Sequence, residues 1–262
     1  MITSVNNEKI KNVGKCMRQA KERRKQGIFL VEGIRMFSEI PRQIHVESFA
    51  TGEFFEEHRE LFDGISYELV SDNVMAFLSD TKTPQGVLSV VKQLSYSIEE
   101  VCMTKNVADS DPLVIALENI QDPGNLGTIV RTAEGAGVTG IIMSRETVDI
   151  YNPKVVRSTM GSIFRVPFTY VDNLVGCVKN LREIGFHTYS AHLQGTTFYD
   201  YDYRKPTIFV MGNEGNGLSD EMTDATEHKI LIPMKGRVES LNVATAGTVL
   251  MYETMRQRGT SF

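Results

Sequence analysis

The sequence predicts an α/β protein in two parts: a small mixed α/β unit over residues 1–92, a connection over 93–112, and a larger α/β domain over 113–262 built on a parallel sheet. Three observations carry this expectation. The 262 residues exceed the usual size of one domain but fall short of three. The first third alternates short helical and extended patterns, whereas beyond residue 112 near-continuous apolar runs alternate with helical segments, as in a sheet covered on both faces. Between them, SYSIEEVCMTKNVADSDP has weak periodicity and ends in an Asp-Pro turn signal.

Taken in order, the first unit reads as a basic helix over 13–26, a strand at IFLVEG, a helix from Ile34 and a strand over 44–50. An acidic helix over 53–61, a strand near Tyr67, a helix from Asp72 and a strand at GVLSVV follow. In the second domain, strands are expected at LVIAL, GIIMS, the RVPF region, FHTYS, IFVMG and HKILIP. Helices open near Asn125, Pro153, Asp172, Leu218 and Ser240. Loops at the carboxyl ends of such strands are where ligands bind, so chemistry is sought there.

With 41% hydrophobic and 23% charged residues and no long polar tract, the chain is not of the disordered class. Its apolar runs are too short for a membrane span, and the start lacks the apolar core of a signal peptide, so a cytoplasmic location is expected. Cys16, Cys102 and Cys177 and the five histidines lack metal-ligand spacing, so no metal is expected. A net charge of −5 argues against nucleic acid, yet eight basic residues stand against one acidic between residues 9 and 25. That segment offers Lys15, Arg18, Arg23 and Arg24 as RNA contacts, against the alternative of a solvated helix face.

Three segments of the second domain hold candidate chemistry. In NIQDPGNLGTIVRTAEGAG a strand runs into a loop and a helix presenting Asn125 and, six residues on, Arg131. In IFVMGNEGNGLSDE a strand enters a turn containing Met211, Gly212, Asn213, Glu214 and Gly217, whose glycines permit close backbone approach to a planar or phosphorylated ligand. In HKILIPMKGRVESLNVATAGT a strand ending at Ile232 leads through a polar loop to Ser240, Leu241 and Asn242 at a helix start. Singly, each has a structural reading: a helix cap for Asn125 or Ser240, a surface arginine, a plain turn. GAGVTG at 135–140 matches a dinucleotide-binding pattern but follows a helix and precedes a strand, and no Gly-Lys-Ser/Thr closes the other glycine cluster, so nicotinamide and P-loop chemistry are disfavoured.

Together and in this order, the three segments resemble the SpoU/TrmH branch of the SPOUT RNA methyltransferases. Asn125 with Arg131 is similar to that family's first motif, Gly212, Glu214 and Gly217 to its G-x-E-x-x-G, and Ser240–Asn242 to its S-L-N. The resemblance runs from about residue 113 onward. The first unit resembles, less specifically, the family's substrate-binding domain of ribosomal-protein-L30e type. The resemblance implies S-adenosylmethionine as cofactor, RNA as substrate, transfer to a ribose 2′-hydroxyl, a trefoil knot and a homodimer with the active site near the subunit interface. It also implies that Arg131, Asn125, Glu214, Ser240 and Asn242 form the catalytic set, and that Met211, Gly212, Asn213, Gly217, Ile232, Leu241 and Asn242 hold the cofactor. Ribosomal RNA of the 23S type is the favoured substrate, with a transfer-RNA enzyme or a non-catalytic RNA-binding or ribosome-assembly protein of the same fold as alternatives.

Overall fold

A computed structural model describes residues 1–103 and 111–259. The chain divides into two compact units, one comprising 1–94 with 149–164, the other 95–148 with 165–262. The segment 149–164 lies inside the stretch expected to form the second domain, yet it packs with the first unit. Much of the expected connection is structured as well, since 98–103 is helical, and its portion 104–110 lies outside the described residues.

The first unit carries a four-stranded sheet in the order β1(Ile28–Glu32), β4(Val87–Lys92), β2(His45–Thr51), β3(Tyr67–Val70). Only the β2–β3 pair is parallel. Five helices of residues 1–94 accompany it, α1(Glu8–Arg18), α2(Ala20–Gln26), α3(Ile34–Ser38), α4(Gly52–Glu57) and α5(Asp72–Leu78), and a sixth comes from segment 149–164. The expected basic helix over 13–26 is two helices, broken at an extended Gln19 (φ −127°, ψ 115°). The break has a local cause. Arg23 turns back and donates to the carbonyls of Cys16 (2.8 Å) and Met17 (3.2 Å), two of the groups that a helix leaves unpaired at its last turn. The same guanidinium pairs with Asp149 at 2.6 Å. Segment 149–164 is held further by the stacking of Tyr151 on Phe29, with centroids 4.7 Å apart, and by the bond of the Tyr151 hydroxyl to the Leu94 carbonyl.

In the second unit a six-stranded sheet runs β10(His228–Leu231), β8(His187–Thr197), β9(Thr207–Met211), β5(Leu113–Leu117), β6(Gly140–Ser144), β7(Phe168–Val171), with every pair parallel. All residues of β5, β6 and β9 are buried, which is why these strands read as unbroken apolar runs. The described helices of the unit are α6(Ile98–Met103), α7(Pro123–Gly135), α9(Leu174–Glu183), α10(Asp220–Ala225) and α11(Val243–Arg258), while α8(Pro153–Thr159) belongs to the first unit. Chain order reverses about β5: the chain proceeds from β5 to β6 and β7 on one side, then returns to place β9 on the other. The loops leaving β5 and β9 therefore diverge from one crevice, where α/β sheets bind ligands. No helix among the described residues is long and apolar enough to cross a membrane.

Candidate active site

The loop after β5 is fixed by its own polar groups. Asn119 adopts φ 58°, a left-handed conformation that asparagine tolerates, and its amide N–H donates to Ser144 Oγ at 2.9 Å. Asp122, with Pro123 after it, caps α7 by accepting the Asn125 N–H at 2.9 Å. Asn125 is thus not the helix cap, and its side chain is released for other partners. An Asp-Pro pair at a helix start is the signal that would have identified this cap from sequence.

The turn after β9 closes on itself. Asn213 and Gly217 exchange backbone hydrogen bonds at 3.0 and 2.9 Å, and the Asn213 side chain accepts the N–H of Gly215 and Asn216 while donating to the Asn119 carbonyl at 2.8 Å. A Cβ on Gly212 would lie 2.3 Å from the Gly217 carbonyl carbon, so the turn admits only glycine there. The buried Glu118 fastens the far end of the turn, accepting the Ser219 N–H at 2.8 Å and its hydroxyl at 2.7 Å. Sequence reasoning passed over Glu118 and Ser219; an acidic residue ending an apolar strand was the available signal.

Glu214 joins this turn to the β5 loop. Its carboxylate accepts the N–H of Gln121 (3.2 Å) and Asp122 (3.1 Å) and the Asn125 side-chain amide (2.9 Å). Partial burial would raise its pKa, but the Asn125 amide and the backbone donors outweigh that and hold it below the usual carboxylate value. Asn125 Oδ1 in turn accepts from Asn242 at 2.9 Å, and Asn242 Oδ1 caps α11 by accepting the N–H of Ala244 and Thr245. Each amide orientation is dictated by its neighbour, because a carboxylate can only accept and a helix N-terminus can only donate. Three motifs far apart in sequence are thereby linked as Glu214–Asn125–Asn242.

Ser240, two residues before the cap of α11, is exposed and is not the cap expected for it. Arg131 is exposed on α7 and makes no hydrogen bond or ion pair among the described residues. From Asn125 it stands about 9 Å along the helix axis and about 120° around it, so it lies outside the linked set. Helix α11 packs against α7 and β9, with Gly247 and Ala244 buried and Thr248 Oγ1 within 3.5 Å of Thr132 Oγ1. The expected cofactor residues all lie at the carboxyl edge of the sheet: Met211 is buried, while Gly212, Asn213, Ile232 and Leu241 are half-buried. A Cβ added at Gly217 or Gly236 would meet nothing within 4 Å, so these loops present open backbone.

The expected RNA contacts of the first unit do not share one fate. Lys15 and Arg24 are exposed, and their side chains make no hydrogen bond or ion pair among the described residues. Arg18 lies over the Phe77 ring at 4.6 Å and donates to the carbonyls of Gly14 and Phe77. Arg23 is 3% exposed and wholly engaged in the α1 carbonyls and Asp149, so it is corrected from a surface contact to a structural one.

A parallel α/β sheet that gathers three polar loops at its switch point defines an α/β ligand-binding domain, here preceded in sequence by a small mixed α/β unit. The chain belongs to the SpoU rRNA methylase family, whose model matches residues 112–252, and residues 7–89 match an MRM3-like substrate-binding domain. The 23S rRNA (guanosine(2553)-2′-O)-methyltransferase of Bacillus subtilis is 31% identical over 253 residues, covering 96% of this chain and 97% of that one. Among solved structures, an AdoMet-bound rRNA methyltransferase from Sinorhizobium meliloti has a TM-score of 0.85 at 28% identity, covering 99% of this chain and 98% of that one. The SpoU methyltransferase AviRb from Streptomyces viridochromogenes has a TM-score of 0.83 at 27% identity, covering 96% and 98%.

Proposed function

We propose that the protein transfers a methyl group from S-adenosylmethionine to a ribose 2′-hydroxyl of ribosomal RNA, of the 23S type. The carrying observation is the Glu214–Asn125–Asn242 linkage, with Arg131 exposed on the helix that carries Asn125 and making no hydrogen bond or ion pair among the described residues. The open backbone around Gly217 and Gly236 and the half-buried apolar side chains of Ile232 and Leu241 suit a cofactor with a flat base and a small polar chain. When bound there, the cofactor supplies an electrophilic sulfonium methyl.

Arg131 holds the substrate hydroxyl and its neighbouring phosphate by charge and hydrogen bonding, since guanidinium stays protonated and is a poor base. Glu214 is equally unsuited to accept a proton, because the Asn125 amide and the backbone N–H groups of Glu214, Asp122 and Gln121 already stabilise its charged form. It acts as a positioning residue that keeps the β5 and β9 loops in register, while Ser240, free of the helix end, is available to the substrate. Lys15 and Arg24 supply phosphate contacts in the first unit.

The same reading includes a cytoplasmic protein, a homodimer and a knotted C-terminal segment. Leu193, Val238 and Tyr252 support the dimer as large apolar side chains at 62%, 60% and 43% exposure. The deciding experiment incubates the protein with S-adenosylmethionine carrying a labelled methyl and ribosomal RNA or particles lacking the modification, then maps the product. One 2′-O-methyl in 23S rRNA is expected; methylation of transfer RNA alone, or of none despite cofactor binding, would overturn the assignment.

A further inference from the structure

The edge of the six-stranded sheet opposite the catalytic loops carries a cluster that the proposed function leaves unused. Strands β8 and β10 are parallel neighbours whose first residues are His187 and His228, and Glu227 immediately precedes β10. One ligand atom from each of the three lies within 4.8 Å of the other two. The backbone holds the carboxylate in place: Glu227 Oε2 accepts the Thr188 N–H at 3.1 Å, and the Glu227 N–H donates to Thr188 Oγ1 at 2.9 Å. The His228 ring is confined between Tyr189 and Tyr201, with centroids 5.2 and 4.9 Å away.

A simple ion pair accounts for only part of this arrangement. His187 Nδ1 stands 3.8 Å from Glu227 Oε2, too far for a hydrogen bond, and both side chains are 35% exposed. Apart from that approach, neither imidazole has a hydrogen-bond partner among the described residues. A pair would also leave His228 unexplained, although its donor atom converges on the same point. Two neutral imidazoles and a carboxylate form a donor set suited to a borderline cation, whereas Mg²⁺ and Ca²⁺ prefer oxygen alone.

We propose that His187, Glu227 and His228 bind one Zn²⁺ ion, with water in the fourth position. Ligand atoms about 2.1 Å from a tetrahedral ion lie about 3.4 Å apart, so His187 and Glu227, at 3.8 Å, must close by about 0.4 Å and no pair by more than about 1.4 Å, a movement that partly exposed side chains accomplish by χ rotation. The ion would join the beginnings of β8 and β10. The four residues of β10 put about 13 Å between it and the loop after that strand, so it clasps the sheet and stays out of methyl transfer.

The full chain, stripped with a chelator, is titrated with Zn²⁺ against a chromophoric competitor. One ion per chain is expected, with binding weakened at least about ten-fold in His187→Ala and in His228→Ala, each checked for native fold by circular dichroism. In the wild type, Zn²⁺ should raise the melting temperature and move the imidazole resonances of His187 and His228 but not those of His45, His58 and His192. Unchanged affinity in either variant, displacement of the competitor by Mg²⁺ as effective as by Zn²⁺, or no binding at all would overturn the proposal.

Discussion

Two stretches of helix carry arginines that the sequence marks for RNA, and the fold treats them in opposite ways. On α7, Arg131 is exposed and makes no hydrogen bond or ion pair among the described residues, while Asp122 caps the helix and Asn125 bonds to Glu214 and Asn242. On α1 and α2, Arg23 is driven inward to satisfy helix-end carbonyls and Asp149, and Arg18 is laid on an aromatic ring. A count of basic residues along a helix therefore overstates the charge it offers a phosphate. What matters is which guanidinium groups still lack acceptors once the chain has folded.

The sharpest way to break this contrast is Arg131→Ala, expected to lower methyl transfer by about 10²–10³-fold while cofactor affinity stays within a few-fold. Near-normal turnover would return Arg131 to the surface. Arg23→Met is expected to do the reverse, costing about 3 kcal/mol in urea unfolding by leaving Asp149 unpaired, with an unchanged salt dependence of RNA binding. Lys15→Ala with Arg24→Ala should leave stability alone and reduce the slope of log affinity against log salt by about 1.5; an unaltered slope removes both from the RNA interface.

Gly212→Ala tests the catalytic loops from the backbone side. Displacing the Gly217 carbonyl should cost about 1–3 kcal/mol, read by calorimetry as cofactor affinity weakened roughly ten-fold, and unchanged affinity would place the cofactor elsewhere. The smallest effect concerns acid. The folded pKa of Glu214 lies below its unfolded value of about 4.3, so its stabilisation is complete above that pH and disappears as pH falls through the folded pKa. The stability gap between wild type and Glu214→Gln should therefore close in acid; a gap constant from pH 7 to pH 2 would refute the role.

Legibility from sequence follows the range of the interaction. The buried strands β5, β6 and β9 were readable because each is apolar along its whole length, and α5 or β4 because their signals are local. The three motifs were readable as segments, but their linkage was not, since nothing local says that Asn125 will lie between Glu214 and Asn242. The caps were not readable for a related reason: several polar residues near a helix start compete, and the caps are Asp122 and Asn242, while Asn125 and Ser240, for which capping was the structural alternative, are not. The nearness of His187 to His228 was not readable because strand register, rather than sequence distance, unites them.

Helix α11 connects a site residue to a distant anchor. Its cap, Asn242, belongs to the linked amides, while near its other end, about 24 Å away, Arg258 donates to the carbonyls of Asp111, Pro112, Tyr203 and Lys205. Gln257 beside it binds the Tyr203 N–H and the Tyr201 carbonyl. Opening of the catalytic loops by release of this helix must therefore disrupt the start of β5 and the approach to β9 together. Amide hydrogen exchange of α11 is therefore expected to be as slow as that of β5 and β9, which would tie the position of Asn242 to the stability of the sheet and not to the local looseness of a loop.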